Sequence, residues 1–309
     1  MKKQAICEDY CIDDSVVADI ENVMCEIAKE INSFNDEILC DGEMEEYLCN
    51  GPTSYLQQRA MLERIFKNTS KQYDYTSVKL RLTVLDSLYS TNANYTYFSI
   101  DDMAYEICKL GTEQDAIDYF NGIALGGKDT KGLFSKKYGM HKNCTPGNRQ
   151  QSLMSKYAYY QLHIQNVNAY PLGFPIYDSL VLKIYPKVCN ILGMKKCIKL
   201  TLIENYVSAL NGVRQKIFNS QLPQYGLQQY DLLDAYLWRM GKIDGGNFSL
   251  LFNKCDYERF INNLGLKDRK ITDAIVKGKC ETMSVNEIMK DISNNLMRSL
   301  LEHWKKYYK

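Results

Sequence analysis

Apolar side chains recur at helical spacing along most of the chain. The first set follows three candidate N-caps, Asp13, Asp14 and Ser15, and its members are spaced three and four residues apart. Such spacing places side chains on one face of a helix, so it predicts a long amphipathic helix at this point. The members are Val16, Ile20, Val23, Met24, Ile27 and Ile31.

The same periodicity predicts a succession of further helices. Asn50-Gly51-Pro52 first breaks the chain, and a basic loop rich in glycine and lysine is expected at residues 125–150. No segment shows the strict alternation of a strand, and no internal repeat is present, so we expect an all-α, multi-helix fold. The predicted helices cover residues 55–66, 78–89, 100–110, 114–123, 152–164, 181–192, 200–218 and 228–240, and a long last helix contains Val285, Ile288, Ile292, Leu296, Leu300 and Trp304.

Charge is distributed very unevenly, although the net charge is only +1. Residues 1–50 carry three lysines against fourteen Asp and Glu, whereas residues 128–156 carry six lysines and one arginine against a single acid. Residues 179–199 add five lysines and no acid. A basic middle of this kind favours a phosphate-binding face, and the alternatives are a solvated lysine-rich surface or a surface masked by the acidic N-terminal region.

The remaining composition narrows the class of protein. No run approaches the roughly 20 apolar residues of a membrane span, and the acidic start does not resemble a signal peptide. Eleven cysteines stand singly between Cys7 and Cys280, with no Cys-x-x-Cys pair and no Cys/His spacing suited to a metal. Single cysteines among apolar neighbours favour reduced thiols. We therefore expect a cytoplasmic protein with no metal, no cofactor and no membrane partner.

Two residues in the middle of the chain have a pattern that suits catalysis. Pro175 favours an extended approach to Asp178, which stands at the N-cap position of the next predicted helix. Pro186 is expected to end or kink that helix after about two turns, leaving two short pieces. One helix upstream, Lys156 has Ser152 and Tyr160 four positions away on either side.

These residues resemble a family, the helix-hairpin-helix DNA glycosylases, and most closely its 8-oxoguanine glycosylase-like bacterial branch. The resemblance lies in Ser-Lys156-Tyr-Ala-Tyr-Tyr and in Pro-Ile-Tyr-Asp178-Ser-Leu-Val, at the places of the family's catalytic lysine and aspartate. Two flanking stretches, which begin at Arg81 and at Leu232, are compatible with it. One departure is clear: the family has a Gly-x-Gly hairpin just before the lysine, whereas Pro146-Gly147 lies nine residues earlier here.

The resemblance implies a fold and a domain organisation. It implies a glycosylase-like helical core at residues 75–245 with a helix-hairpin-helix-like centre. An acidic N-terminal helical region at residues 1–74 and a C-terminal helical extension at residues 246–309 would be additions to that core.

The resemblance also implies an activity and a set of site residues. The activity is excision of an oxidised purine from duplex DNA, with AP lyase activity through a Lys156 imine and a stabilising Asp178 carboxylate. The implied walls of the base pocket are Tyr159, Tyr160, Phe174, Tyr177 and Trp238. The implied DNA-binding residues are Lys136, Lys137, Lys142, Arg149 and Lys183.

Structural interpretations remain open for the same residues. Asp178 alone is an ordinary helix cap, Lys156 alone an ordinary surface lysine, and the tyrosines of this helix are common core residues. At the level of function, one alternative is a catalytically inactive glycosylase-like protein that binds nucleic acid or a nucleotide, in bacterial anti-phage defence. Another is a helical interaction module whose basic middle docks an acidic partner.

Overall fold

The computed structural model describes residues 14–39, 54–69, 73–89, 99–139, 149–196, 199–220, 222–245 and 295–308. In these residues the protein is all-α, as predicted, and its only β-type pairs are two isolated bridges. The helices are α1 (Asp14–Leu39), α2 (Ser54–Thr69), α3 (Tyr75–Tyr89), α4 (Ser99–Cys108), α5 (Glu113–Ala124), α6 (Gln151–His163), α7 (Ser179–Ile191), α8 (Ile203–Ile217), α9 (Gln229–Asp244) and α10 (Asn295–Tyr307).

Local sequence explains where several of these helices begin. Thr112 and Asp115 form a capping box at the start of α5: the Thr112 hydroxyl accepts from the Asp115 amide at 3.2 Å, and the Asp115 carboxylate accepts from the Thr112 amide at 2.7 Å. Asp178 caps α7 in the same way, with its Oδ1 atom 2.7 Å from the amide nitrogen of Leu180. Each carboxylate satisfies an amide that the helix itself leaves unpaired.

Two central helices, α6 and α9, are buried on nearly every face. All residues of α6 from Gln151 to Leu162 except Ser152 are buried, and α7 packs along α9. An aromatic cluster joins α6 to α2 and α5 through the ring of Tyr157, and it includes Phe134 stacked on Phe174 at a centroid distance of 5.6 Å. The core therefore lies around α6 and α9, and polar residues on these two helices must find partners inside the protein.

The terminal helices pack on this core. α1 lies against both α9 and α10, and the acidic side chains of α1 make ion pairs there. Asp19 accepts from Lys306 on α10 at 2.6 Å, and Glu30 pairs with Arg239 on α9. Two acids of α1, Asp19 and Glu30, thus pair with bases on α10 and α9. Residues 1–13, 40–53 and 246–294, which include Val285, Ile288 and Ile292, lie outside the described residues.

The prediction that Pro186 divides its helix is wrong. α7 continues through Pro186 to Ile191 as one helix. Proline removes one backbone donor, but the apolar face on both sides of it is buried, and packing along α9 stabilises the helix across Pro186. The buried residues of this face are Val181, Ile184, Tyr185, Val188 and Cys189.

The turn before the extended segment requires glycine, and this gives a test of the fold. Gly173 has a φ of +69°, and a Cβ atom added there would lie 2.5 Å from the Oε1 atom of Gln228. The Gln228 amide is held in place because it donates to the carbonyls of Leu162 and Tyr170, both at 2.9 Å. We expect Gly173→Ala to lower the free energy of unfolding by about 2 kcal/mol or more.

Urea denaturation would measure this change, and Gly122→Ala is the matched control. Gly122 lies inside α5, where an added Cβ meets nothing within 4 Å. The control should raise the free energy of unfolding by about 0.5–1 kcal/mol, because alanine favours a helix interior. Equal effects of the two substitutions would contradict the role given to Gly173.

Candidate active site

The Lys156 amine is enclosed by protein although lysine is normally a surface residue. Its side chain is only 4% exposed, because α6 is buried on this face as well. The amine donates a hydrogen bond to the Ser152 hydroxyl at 2.6 Å and lies 5.1 Å from the centroid of the Tyr89 ring. Burial lowers the pKa of Lys156, and the nearby carboxyls of Asp178 and Asp234 oppose this effect without cancelling it.

Asp178 is held by the extended segment between α6 and α7. The amide of Tyr177 donates to the Ser155 hydroxyl at 2.9 Å, and the carbonyl of Ile176 accepts from the Tyr206 hydroxyl on α8. These bonds attach the segment to two helices immediately before Asp178. Since one carboxylate oxygen caps α7, the orientation of the other oxygen is fixed as well.

The predicted pair is brought together in the structure. The second carboxylate oxygen of Asp178 lies 3.9 Å from the Lys156 amine, outside hydrogen-bonding distance but within the range of a strong electrostatic interaction. Asp178 is 29% exposed, whereas Lys156 is 4% exposed. The Asp178 carboxylate is therefore the more accessible member of the pair. A molecule from solvent would reach the Lys156 amine from the side of Asp178.

A third carboxyl, that of Asp234, shares this environment. It belongs to α9, is 9% exposed, and interacts electrostatically with both Lys156 and Asp178. Burial raises the pKa of Asp234 to about 8, and the neighbouring carboxylates of Asp178 and Asp231 add to the rise, whereas Lys156 and Arg59 oppose it. Sequence analysis gave Asp234 no chemical role, because its partners are distant in the chain.

The predicted base-pocket residues fall into two groups. Three of them are packed in the core: Tyr159 donates to Asp231 at 2.5 Å, Tyr160 shares a hydrogen bond with Tyr89 at 2.8 Å, and Phe174 stacks on Phe134. Each of the three is at most 2% exposed, so none lines an open pocket in this arrangement.

Tyr177 and Trp238 form the second group and are half-buried. The Lys242 amine lies 5.2 Å from the centroid of the Trp238 ring, and burial lowers the pKa of Lys242 while Asp178 opposes the shift. Of the two residues Lys156 and Asp178, it is Asp178 with which Lys242 interacts electrostatically, and Trp238 is in contact with Lys242. These two aromatic side chains, unlike the first three, are placed where a substrate could meet them.

The predicted DNA-binding residues are mostly at the surface. Lys137 and Arg149 are exposed and joined by an antiparallel backbone bridge, and Lys183 is exposed on α7. Lys136 pairs with Glu106, and Lys142 lies outside the described residues, as does Pro146-Gly147.

Sequence analysis missed a second buried cluster, next to the site. Arg59 on α2 donates two hydrogen bonds of 2.6 Å to the carboxylate of Asp231 and a third, of 3.0 Å, to Glu63. His163 joins Glu63 at 2.9 Å and stacks on Tyr159 at 5.3 Å. In the sequence, only the position of His163 in the last turn of the Lys156 helix links it to the site.

Burial by itself would raise the pKa of both acids in this cluster. Interactions with Arg59 and His163 outweigh that effect, so the pKa of Asp231 and that of Glu63 are both lowered. Both acids are thus ionised and paired at neutral pH, and the cluster fixes α2, α6 and α9 against one another.

The described residues contain no group of three or more His, Cys, Asp or Glu side chains that could hold a metal ion. Within the same residues, no helix is long and apolar enough to cross a membrane. Comparisons with protein-family models, with curated proteins and with solved structures found no match.

Proposed function

We propose that this protein is a DNA base-excision glycosylase with AP lyase activity on an oxidised purine. The observation that carries the proposal is the distance of 3.9 Å between the buried Lys156 amine and the carboxylate of Asp178. A lysine attacks carbon only as the neutral amine, and the lowered pKa of Lys156 increases the fraction of that form. The exposed bases Lys137, Arg149 and Lys183 would bind the phosphate backbone.

In this proposal, Asp178 and Lys156 have distinct chemical roles. As the N-glycosidic bond breaks, its electron pair leaves with the base, and the Asp178 carboxylate stabilises the positive charge that develops on the sugar. The Lys156 nitrogen forms a bond to C1′ and loses a proton. The C1′–O4′ bond then breaks, O4′ takes up a proton, and a protonated imine joins Lys156 to C1′ of the opened sugar. Loss of a proton from C2′ then expels the 3′ phosphate by β-elimination. The base must leave the stack before the first step.

Borohydride trapping tests the proposal directly. Wild-type protein is incubated with duplexes that carry an abasic site or 8-oxoguanine, and borohydride then reduces any imine to a stable covalent complex. We expect a complex with wild type and none with Lys156→Met, which fills the same buried space without an amine. Lys79→Gln, at an exposed lysine paired with Asp101, is the control and should trap normally.

Asp178→Asn distinguishes charge stabilisation by Asp178 from imine formation by Lys156. Asparagine also caps helices, so α7 should be preserved. We expect excision of 8-oxoguanine to fall on the order of 100-fold, because the developing charge loses its carboxylate. Trapping at a preformed abasic site should fall much less, since the glycosidic bond is already broken there. Absence of any wild-type complex on both duplexes would refute the lysine mechanism.

A second candidate function is nucleic-acid binding without cleavage, and the packing of the site favours it. Three of the five predicted pocket side chains are core residues, and the Lys156 amine is bonded to Ser152 inside the protein. For this function we expect steeply salt-dependent binding to undamaged duplex, weakened by Lys137→Gln and Arg149→Gln, with no trapped complex. Duplex binding without trapping would therefore favour this second function.

A further inference from the structure

We propose that Ser152 and Lys156 form a nucleophile–base pair that cleaves carboxylic esters. This activity goes beyond the proposed function: Ser152 attacks the substrate and Lys156 only moves a proton, whereas in the glycosylase reaction Lys156 itself attacks carbon. Three features of α6 support it. They are a short contact between the two side chains, the difference in their exposure, and the free amides at the start of the helix.

The contact joins two residues about one helical turn apart. Residues four apart lie on the same face of a helix, and here the Lys156 amine is 2.6 Å from the Ser152 hydroxyl oxygen. A nucleophile within hydrogen-bonding distance of a base, with the base oriented by a third group, is the usual arrangement for nucleophilic catalysis. Asp178 provides the third group, since its carboxylate lies 3.9 Å from the amine. When Lys156 is neutral, its nitrogen accepts a hydrogen bond from the Ser152 hydroxyl.

The two side chains differ in their access to solvent. Of the α6 residues from Gln151 to Leu162, only Ser152 is not buried. The Lys156 side chain is 4% exposed, and burial lowers its pKa, which increases the fraction of neutral amine. A substrate can therefore meet the Ser152 hydroxyl at the surface, while the amine that would accept its proton stays enclosed by protein.

Backbone amides at the start of α6 supply donors for the oxygen of a substrate carbonyl. Gln150 occupies the N-cap position, but its side chain makes no hydrogen bond to the helix. Within the part of the chain that the structure describes, no group accepts a hydrogen bond from the amide of Ser152 or of Leu153. The amide of a nucleophilic serine commonly donates to the oxyanion in acyl transfer, and a helix N-terminus adds a positive potential. The first turn of α6 thus provides such donors next to the nucleophile.

The reaction is a transfer of the acyl group in two steps. The Ser152 oxygen forms a bond to the carbonyl carbon, and the hydroxyl proton passes to the Lys156 nitrogen. The bond from that carbon to the leaving oxygen then breaks, and the departing alkoxide keeps the electron pair and takes the proton from Lys156. In the second step water attacks the acyl-serine and gives a proton to Lys156. The bond to Ser152 breaks, its oxygen recovers the proton, and a carboxylic acid leaves.

An ester is the class of acyl compound that suits this pair, because an alkoxide or phenolate departs more readily than the amine of an amide. Diisopropyl fluorophosphate tests the pair on the full-length protein without DNA. A serine oxygen displaces fluoride from this reagent and keeps the phosphoryl group, so mass spectrometry of peptides shows which serine has reacted.

We expect Ser152 to react on the order of 100-fold faster than Ser208 in the same wild-type molecule, because assistance by a general base gives gains of this size. Ser208 is the internal reference, since it is exposed on α8 and no lysine of the described residues bonds to it. Equal rates at the two serines would overturn the proposal.

Substitution of the lysine then tests its role as the base. Lys156→Met fills the same buried space without an amine, and we expect the rate at Ser152 to fall on the order of 100-fold. Lys79→Gln, at an exposed lysine paired with Asp101, is the matched control and should leave the rate unchanged. Circular dichroism would check the helices of both variants. An unchanged rate at Ser152 in folded Lys156→Met would overturn the proposal, and if this variant does not fold, the comparison of the two serines in wild type decides.

Hydrolysis of p-nitrophenyl acetate separates this activity from the glycosylase. We expect wild type to hydrolyse the ester and Ser152→Ala to lose this activity. Ester hydrolysis that requires Ser152, without borohydride trapping on either duplex, would support the pair and contradict the glycosylase proposal. An acetyl group found on the Lys156 amine, with Ser152→Ala reacting as fast as wild type, would show that the amine is the nucleophile. That result would overturn the pair and agree with the glycosylase proposal.

Discussion

Substitution of Asp231 by asparagine is expected to lower the free energy of unfolding by about 3–5 kcal/mol. The side chains of Asp231 and Arg59 are 1% and 3% exposed, and two hydrogen bonds of 2.6 Å join them. Asparagine has no charge, so it would leave the Arg59 guanidinium buried with Glu63 as its remaining carboxylate. A buried charge that loses a doubly hydrogen-bonded carboxylate costs far more than a lost surface ion pair.

Urea denaturation at neutral pH would measure the effect, with Asp244→Asn as the matched control. The Lys187 and Asp244 side chains are 43% and 25% exposed, so breaking their pair should cost no more than about 1 kcal/mol. Because the pKa of Asp231 is lowered in the folded protein, its contribution to stability is present above its unfolded value of 3.8 and is lost at lower pH. The penalty of Asp231→Asn should therefore shrink as the pH falls. Equal penalties for the two variants at neutral pH would contradict this account.

Helix periodicity was enough to predict the fold class and most helix positions. It also placed Asp178 at an N-cap, because the residue types at a helix start follow from local backbone bonding. Pro186 shows the limit of that reasoning. Proline by itself tends to break a helix. Here the residues around Pro186 are buried against α9, and this packing outweighs the local effect. Local patterns thus predict elements well until tertiary packing opposes them.

Sequence alone could suggest the pair of Lys156 and Asp178, 22 residues apart, but not the buried groups that surround it. Lys156 has the residue type of a surface position, and only packing on all sides of α6 makes it a buried amine. Arg59 and Asp231 are 172 residues apart, so no spacing rule joins them. Aromatic residues are equally ambiguous, since a ring in the core and a ring in a pocket have the same sequence pattern.

Asp234→Asn is expected to stabilise the protein, and by an amount that grows with pH. The pKa of Asp234 rises from 3.8 to about 8 on folding, since burial and the neighbouring carboxylates disfavour the charged form. A group with a raised folded-state pKa contributes its full stability below the unfolded value and loses it as the pH rises through the folded value. At about 1.36 kcal/mol per pKa unit, the loss approaches roughly 6 kcal/mol above pH 8.

Asparagine has nearly the shape of the neutral acid and does not titrate, so it avoids this loss. Thermal unfolding of wild type and Asp234→Asn should give similar midpoints near pH 4, with the variant increasingly more stable up to about pH 8. The opposite trend is expected for Asp231→Asn, although the two aspartates lie three residues apart on one helix. The difference follows from their partners, because Asp231 has a guanidinium at 2.6 Å whereas Asp234 shares Lys156 with Asp178. A pH-independent difference between wild type and Asp234→Asn would show that Asp234 is ionised in the folded protein.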